Sequence, residues 1–536
     1  MSRPPPVSPP SPQVLADVST AAEPPRRASE AASHPVAVLT LVAHPHLARV
    51  GERLVLEDLL AGQEWVLSRN APDFTPASSA FGAPLGDPFL SRKPFLRFNR
   101  TDAGIRVSVG PEGKCTSDGL PLGDAREWSL EEVRAGIPLE LAGRLALLLH
   151  LSDPKSTSAR SLPGMVGESV GLRRVRKDIE RVADLDLSVL IRGETGTGKE
   201  LVAQALHQQS PRAKKPFLSI NLGAIPKELA AAELFGAAKG AFTGAHQARD
   251  GFFRAAQGGT LFLDEIGEAS AEIQVMLLRV LETGELFPVG ASTPVRADVR
   301  LVAATDADLD THIRDGRFKA PLLHRLAGYE IQLPPLRERR EDIAPLFLHF
   351  AREALESIGE SHRLTPGDPY QEPWLPPALA IRLLRHSWPG NIRQLRNVAR
   401  QLVVGSRGQP RLELGPRLAQ ELEPPLPRAR PPAPESPDAE PVARRKSTDV
   451  TEPELLEALR AQDWDVKRAA DHLGIPRSSI YNLIERSPVI RLAGDLSVEE
   501  LTRCFHECQG DLDAMVRRLE VSRRALSRRI KELGLG

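Results

Sequence analysis

The chain has 536 residues, enough for three or four domains that can each bury a core. Lysine plus arginine and aspartate plus glutamate both total 70, so net charge singles out neither nucleic acid nor membrane, and a charged partner must meet a local patch. Three cysteines, Cys115, Cys504 and Cys508, exclude a disulfide framework, and the longest apolar stretch, Leu145 to Leu149, is far too short to span a bilayer; the expectation is a cytoplasmic protein with no membrane partner.

Residues 1–35 hold nine prolines and few large apolar side chains, which predicts a tail that cannot offset its ordering entropy by burial. From 36 to 151, short β-rich runs at 36–43, 53–56, 64–69, 96–100 and 105–110 alternate with Gly, Pro, Asp and Asn, the pattern of a small β-sandwich. Ser68 and Arg69 follow one strand, Leu90, Ser91 and Arg92 occupy the next loop, and Asp118 with Gly119 sits near a later turn. These positions resemble the phosphopeptide-binding loops of the forkhead-associated domain. The resemblance implies that Arg69, Ser91 and Arg92 clamp a phosphothreonine protein, an arginine and a hydroxyl being suited to phosphate. It departs at Ser68, where the family has Gly, and near Pro94, where it has His. The alternative is a sandwich that docks on the next domain without binding phosphate.

A polar linker is expected at 152–163, then strands alternating with helices from 165 to about 408, an α/β domain with a mainly parallel sheet to about 340 and a helical lid beyond. An apolar strand at 187–191 runs into Gly193, Glu194, Thr195, Gly196, Thr197, Gly198 and Lys199, followed by an amphipathic helix. Strand, glycine loop, lysine and helix are the parts of a P-loop, whose N–H groups cradle the phosphates of ATP while Lys199 reaches the terminal ones. Glu200 stands where the general pattern has a Ser or Thr for Mg2+, so the metal must be held elsewhere. Leu261 to Glu265 supplies that place: Asp264 can hold Mg2+ through water, and Glu265 can polarise the water that attacks the γ-phosphate. Gly240, Ala241, Phe242, Thr243, Gly244 and Ala245 lie between these two motifs. Glycines at both ends suit a projecting loop with one ring and one hydroxyl at its tip.

With Glu233-Leu234-Phe235-Gly236 and Lys239 before that hexamer, the blocks at 333–339 and 388–395 make the region from 165 to 408 resemble the AAA+ activators of sigma-54 RNA polymerase. The resemblance implies a ring, from dimer to hexamer, that grips sigma-54 through residues 240–245. It further implies that Asn221 restrains Glu265, Thr305 senses the γ-phosphate, Arg393 is a second sensor, and Val166 with Gly167 lies near adenine. Arg325 becomes a finger acting on a neighbour's nucleotide. Lys319 replaces a second arginine, and an ammonium lacks the planar fork of a guanidinium. Pro321 lacks an N–H and bears on where its helix begins. Asp306 replaces the family's Asn.

Residues 424–446 contain eight prolines and read as a semi-rigid linker. The segment 449–536 repeats at an offset of 46: Leu455, Asp465, Leu473, Ile475, Ile480 and Ile484 recur as Leu501, Asp511, Leu519, Val521, Leu526 and Ile530. Two helical units, 449–486 and 497–536, are therefore expected. The first resembles a Fis-like helix-turn-helix, which implies that Arg477, Ser478, Ser479, Tyr481 and Asn482 face double-stranded DNA. The second is more basic and offers Arg523, Arg524 and Arg528. Either both units read DNA or one serves dimerisation. Cys504, His506 and Cys508 are spaced for one helix, where the cysteines share a face and the histidine does not, which argues against zinc.

The expected function is ATP-driven activation of transcription: binding upstream DNA, assembling a ring, and remodelling the closed polymerase complex. The alternative is a DNA-binding regulator that acts by occupancy, its AAA+ motor weakened or inactive through Lys319 and Pro321.

Overall fold

The computed structural model describes residues 35–153, 162–241, 247–423 and 450–532, without 78, 80, 366 and 367 and, in the last stretch, 463, 465, 474, 476–479, 481, 482, 485, 486, 488, 489, 492–495, 509 and 510. The described chain falls into two units that divide near residue 428.

The first unit begins with two antiparallel sheets. One orders its six strands as Arg53–Leu56, Val36–Ala43, Leu145–Ser152, Ile137–Leu141, Cys115–Ser117 and Leu120–Pro121. The other orders four, Trp65–Leu67, Leu96–Arg100, Ile105–Val109 and Ala125–Trp128. Alternating apolar residues of both sheets, among them Leu39, Leu41, Leu96, Phe98, Val107 and Leu147, meet in one buried cluster. The greasy run at 145–149 is thus an interior strand paired with Val36–Ala43, buried on both sides.

The ATPase-like core follows. Its five strands are all parallel, in the order Phe217–Asn221, Thr260–Asp264, Arg300–Thr305, Val189–Arg192 and Tyr329–Gln332. Helices cover both faces, so strands such as Thr260–Asp264 read as unbroken apolar runs. Sequence neighbours are not sheet neighbours: the strand before the glycine loop is fourth of the five, lying between Arg300–Thr305 and Tyr329–Gln332. Their C-terminal ends place Arg192, Asn221, Asp264 and Thr305 along one edge, where open α/β sheets hold ligands.

Beyond this core, helices Ile343–Ser357, Pro377–Arg385, Asn391–Gly405 and Pro416–Glu421 form the lid around Phe347, Leu384, Trp388, Leu395 and Leu402. Val42, Ala43, Leu47, Ala146 and Leu148 of the first β region join the same cluster. The amino-terminal region therefore docks directly on the lid.

The second unit is helical. Eight positions of the first repeat and their counterparts 46 residues on, from Leu455 with Leu501 to Ile484 with Ile530, are all buried in a single cluster. Helices Glu452–Ala461 and Val498–Glu507 start on Thr451 and Ser497, cap residues at the same offset. The repeats share one core, and a forked Arg460–Glu520 pair at 2.8 Å links them. Cys504 and Cys508 share a helix face, their sulfurs 3.9 Å apart.

Candidate nucleotide site

The glycine loop connects the strand Val189–Arg192 to the helix Lys199–Gln208. Its carbonyls are all engaged: Gly193 and Glu194 by Lys199 Nζ at 2.9 and 3.4 Å, Thr195 by Asn391 Nδ2 at 3.1 Å, Gly196 by the Ile392 N–H at 2.9 Å, and Thr197 by Arg339 at 3.1 Å. Across a trans peptide the C=O and the following N–H point in opposite directions, so these partners turn the loop's N–H groups toward the other side, where an anion can be cradled. Gly196 has φ +78°, and a Cβ there would lie 2.4 Å from the Gly390 carbonyl; only glycine allows the lid this close.

Lys199 is buried and Glu200 exposed on the opposite side of the helix start, near Gln204. Asp264 ends its strand and accepts the Glu265 N–H at 3.0 Å; burial first pushes its carboxyl up, while that hydrogen bond and Lys199 oppose the shift. Glu265 sits in the left-handed region at φ +56°. Its Oε2 would be 2.2 Å from a Cβ on Gly223 and Asn221 Oδ1 3.3 Å from the same point, so Asn221 and Glu265 converge on a glycine that leaves room for both carboxylate and amide. Asn221 Oδ1 itself caps the turn at Ala224, 3.1 Å away. Gly223 carried no signal in the sequence beyond its place between two motifs.

Thr305 is buried at the end of its strand, its hydroxyl accepting the Ala307 N–H at 3.0 Å and its carbonyl the Gly193 N–H at 3.2 Å. The neighbouring Asp306 accepts from the Thr195 hydroxyl at 2.5 Å, which ties the substituted position to the glycine loop. Arg393 lies on the first turn of the lid helix with its Cβ against Gly196, and its head is exposed. Val166 helps to line a cavity of about 240 Å³ with Met165, Leu201, Leu333, Phe350 and Ile392, bordered by Arg396 and Glu353. Gly167 packs on the buried Asp342, whose carboxylate accepts the N–H groups of Glu168 and Ser169 at 2.7 and 2.9 Å. Burial and the adjacent Glu341 push the Asp342 carboxyl up against the pull of Arg339.

The block that departs from the family pattern folds as a helix, Ala320–Leu326, with Lys319 as its N-cap and Pro321 in its first turn, where a missing N–H leaves nothing unpaired. The Lys319 N–H is held by Gln274 at 2.9 Å and its side chain is exposed. Arg325 is exposed and 3.6 Å from Glu282.

Of the projecting hexamer, Gly240 has φ +80° and Ala241 packs on Gly290; Phe242, Thr243, Gly244 and Ala245 lie outside the described residues. The loop's base is fixed by Ala237, bridged to Arg249 and Val289. Arg477, Ser478, Ser479, Tyr481 and Asn482 also lie outside, as do the side chains of Arg523, Arg524 and Arg528, although the backbone at 523–532 is helical.

In the amino-terminal region the Arg69 N–H donates to the Ser91 carbonyl at 2.9 Å, which brings the two loops together. The Ser91 hydroxyl donates to Glu112 at 2.7 Å, and Ser91 with Lys93 holds the Glu112 carboxyl below its ordinary range. Arg92 is exposed. Asp118, the third loop's acidic residue, is instead forked to Arg385 of the lid at 2.7 and 2.6 Å.

A parallel sheet with a glycine loop at its crossover, a carboxylate pair two strands away and a four-helix lid define an ATPase of the AAA+ class. Residues 165–332 match the family described as the Sigma-54 interaction domain, 337–415 the AAA+ ATPase lid domain, and 449–486 the bacterial regulatory proteins of the Fis family. The chain is 41% identical to the DNA-binding transcriptional regulator NtrC of Salmonella typhimurium over 371 residues, 69% of this chain and 70% of that protein. It is 42% identical to the anaerobic nitric oxide reductase transcription regulator NorR of Citrobacter koseri over 307 residues, 55% of this chain and 58% of that one. A solved NtrX from Brucella abortus, in complex with ADP, is 30% identical and covers 60% of this chain and 68% of its own, with a TM-score of 0.43. The chain belongs to the sigma-54-dependent transcriptional activators, with an AAA+ ATPase domain and a Fis-type helix-turn-helix for DNA.

Proposed function

We propose that this activator assembles into a ring, from dimers to a hexamer, and uses ATP hydrolysis to remodel the closed complex of sigma-54 RNA polymerase. The observation that carries the proposal is the engagement of every carbonyl at 193–197, two of them by Lys199 Nζ, in a glycine loop that stands beside the carboxylates Asp264 and Glu265. Bound Mg2+ and ATP supply the electrophilic γ-phosphate and part of its charge neutralisation. Lys199 holds the terminal phosphates, with Glu194, Thr195, Gly196, Thr197, Gly198 and Glu200 shaping the loop and Val166 and Gly167 the adenine side. Asp264 would hold Mg2+ through water, Glu265 accepts the proton of the attacking water, and Asn221 sets when Glu265 is free to do so. Thr305 and Arg393 sense the phosphates, while Arg325, with Lys319 beside it, reaches the neighbouring subunit's site. In the described subunit Arg325 is paired with Glu282, and assembly has to draw it away.

Residues 240–245 grip sigma-54 and Phe242 is the tip. The units at 449–486 and 497–536 place Arg477, Ser478, Ser479, Tyr481, Asn482, Arg523, Arg524 and Arg528 on DNA. The region 36–151 acts as a forkhead-associated β-sandwich, with Arg69, Ser91 and Arg92 as a phosphothreonine clamp once Glu112 releases Ser91. All of this suits a cytoplasmic protein; among the described residues no helix is long and apolar enough to cross a membrane.

Open-complex formation on a sigma-54 promoter, with purified chain and ATP, tests the proposal. Wild type is expected to open the promoter and Phe242→Ala to fail while still hydrolysing ATP. Equal opening by the variant removes the loop from the mechanism, and no opening by wild type leaves a regulator that acts by occupancy. Lys319→Arg is expected to raise ATP turnover several-fold, because the planar fork stabilises developing phosphate charge better than an ammonium.

A further inference from the structure

The lid does more than cover the site. Its helix Asn391–Gly405 begins on the glycine loop, and the first residue has three properties that rarely coincide. Asn391 is fully buried, its backbone is left-handed at φ +49°, and its amide joins three segments of chain. Oδ1 accepts the Leu336 N–H at 2.8 Å, and Nδ2 donates to the Thr195 carbonyl and to Glu194 Oε2, both at 3.1 Å. One residue on, the Ile392 N–H donates to the Gly196 carbonyl at 2.9 Å; two residues on, the Arg393 Cβ stacks over Gly196.

Glu194 is the meeting point. Arg337, at the joint between core and lid, grips its carboxylate with a two-pronged fork at 2.8 and 2.6 Å. Arg337 first, and Asn391 second, hold the Glu194 carboxyl down to about 2. The carboxylate therefore stays charged at any physiological pH. A fork from a planar guanidinium fixes direction as well as distance, and the buried amide fixes the third point. Any rotation of the lid helix away from the loop must break Asn391 from Thr195, Ile392 from Gly196 and Arg337 or Asn391 from Glu194 together.

We infer that Asn391 is a positioning residue that registers the lid helix on the glycine loop through Glu194 and Thr195, so that phosphate occupancy of the loop and the placement of Arg393 are one event. The inference rests on the reading of Arg393 as a phosphate sensor. Asn391 touches no reacting group in this arrangement; it acts through Arg393.

The left-handed backbone allows a clean test. Glycine tolerates φ +49° as well as asparagine does, so Asn391→Gly removes the amide and keeps the turn. Asn391→Asp keeps the acceptor for Leu336 and loses the donors, setting a second carboxylate against Glu194. Binding of a fluorescent ATP analogue to the full chain is measured for wild type, both variants, Arg393→Ala and Asn391→Gly with Arg393→Ala. Arg393→Ala is expected to weaken binding roughly tenfold and Asn391→Gly several-fold. The double variant should bind no more than about twofold worse than Arg393→Ala, since the amide has nothing left to position. Asn391→Asp should bind at least as weakly as Asn391→Gly and melt lower, since it buries a second carboxylate against Glu194, while Asn391→Gly and Arg393→Ala should keep the wild-type melting profile within a few degrees. Multiplying effects in the double variant, or wild-type binding by Asn391→Gly beside a weakened Arg393→Ala, overturn the latch alone. Wild-type binding by Arg393→Ala removes the sensor reading and the latch with it.

Discussion

The lid carries two seams of opposite chemistry. Toward the glycine loop its hydrogen bonds run from Asn391, Arg337 and Arg339 to carbonyls and one carboxylate, beside the cavity that Ile392 and Phe350 line with Leu201 and Leu333. Toward the amino-terminal sheets it is apolar, with Val42, Ala43, Leu47, Ala146 and Leu148 inside the lid's own core, and its polar contacts are anchors at the margin. Arg144 is one of these, buried with Asp87 at 3.0 Å, donating to the carbonyls of Gln371 and Pro369 and lying over the Phe89 ring. Hydrogen bonds can be exchanged for ligand contacts at small net cost, whereas buried apolar area is lost outright on separation. We therefore expect the first seam to respond to nucleotide and the second to hold.

This difference can be broken at either side. The largest expected effect is Lys199→Ala, which should abolish measurable ATP binding while leaving the amino-terminal seam and the fold intact; titration with a fluorescent nucleotide checks it. Next is Arg144→Ala, which leaves Asp87 buried without its charge partner and should destabilise the first unit by about 3–5 kcal/mol in denaturant titrations. Its ATP affinity, measured well below the transition, should stay within about twofold of wild type if the seams are independent.

Asp264→Asn sharpens the account from another direction. Burial raises the Asp264 carboxyl, so its charged form is disfavoured in the nucleotide-free fold. That cost is absent below the ordinary carboxylate range, where the group is protonated folded and unfolded alike, and is fully present above its raised native value. Asn should therefore lift the nucleotide-free melting midpoint by about 2 °C at neutral pH, lose that gain as the solution is acidified, and abolish hydrolysis. The smallest effect belongs to Asp118→Ala. The pair with Arg385 is well formed but substantially exposed, and its loss should cost no more than about 1 kcal/mol and fade with salt.

The site was legible in the sequence because phosphate chemistry forces residue types into short windows: Gly193 to Lys199 needs its glycines for close approach, and Asp264 with Glu265 must end an apolar strand. What those windows touch was not legible. Nothing in the spacing of Glu194 and Asn391, 197 residues apart, states that they share a hydrogen bond. Gly223 gave no hint that its missing side chain makes room for Glu265. The amino-terminal strands at 53–56 and 96–100 follow from alternation, but the runs at 36–43 and 145–149 give none to read, being buried on both faces; in the latter one face meets the sheets' core and the other the lid. Asp118 reads as a ligand-loop residue until the lid arrives to pair with it. The repeat at 449–536 was visible as an offset; its fusion into one core was not, since periodicity within each unit says nothing of what lies between them.

On the proposed mechanism, ATP hydrolysis at Glu265 drives promoter opening. Full-length Glu265→Gln and wild type are compared on a sigma-54 promoter, following ATP binding, phosphate release and strand opening in the same samples. Glu265→Gln is expected to bind ATP at least as tightly as wild type, release phosphate at least a hundredfold more slowly and leave the promoter closed. Promoter opening by the variant at the wild-type rate without phosphate release would contradict that mechanism.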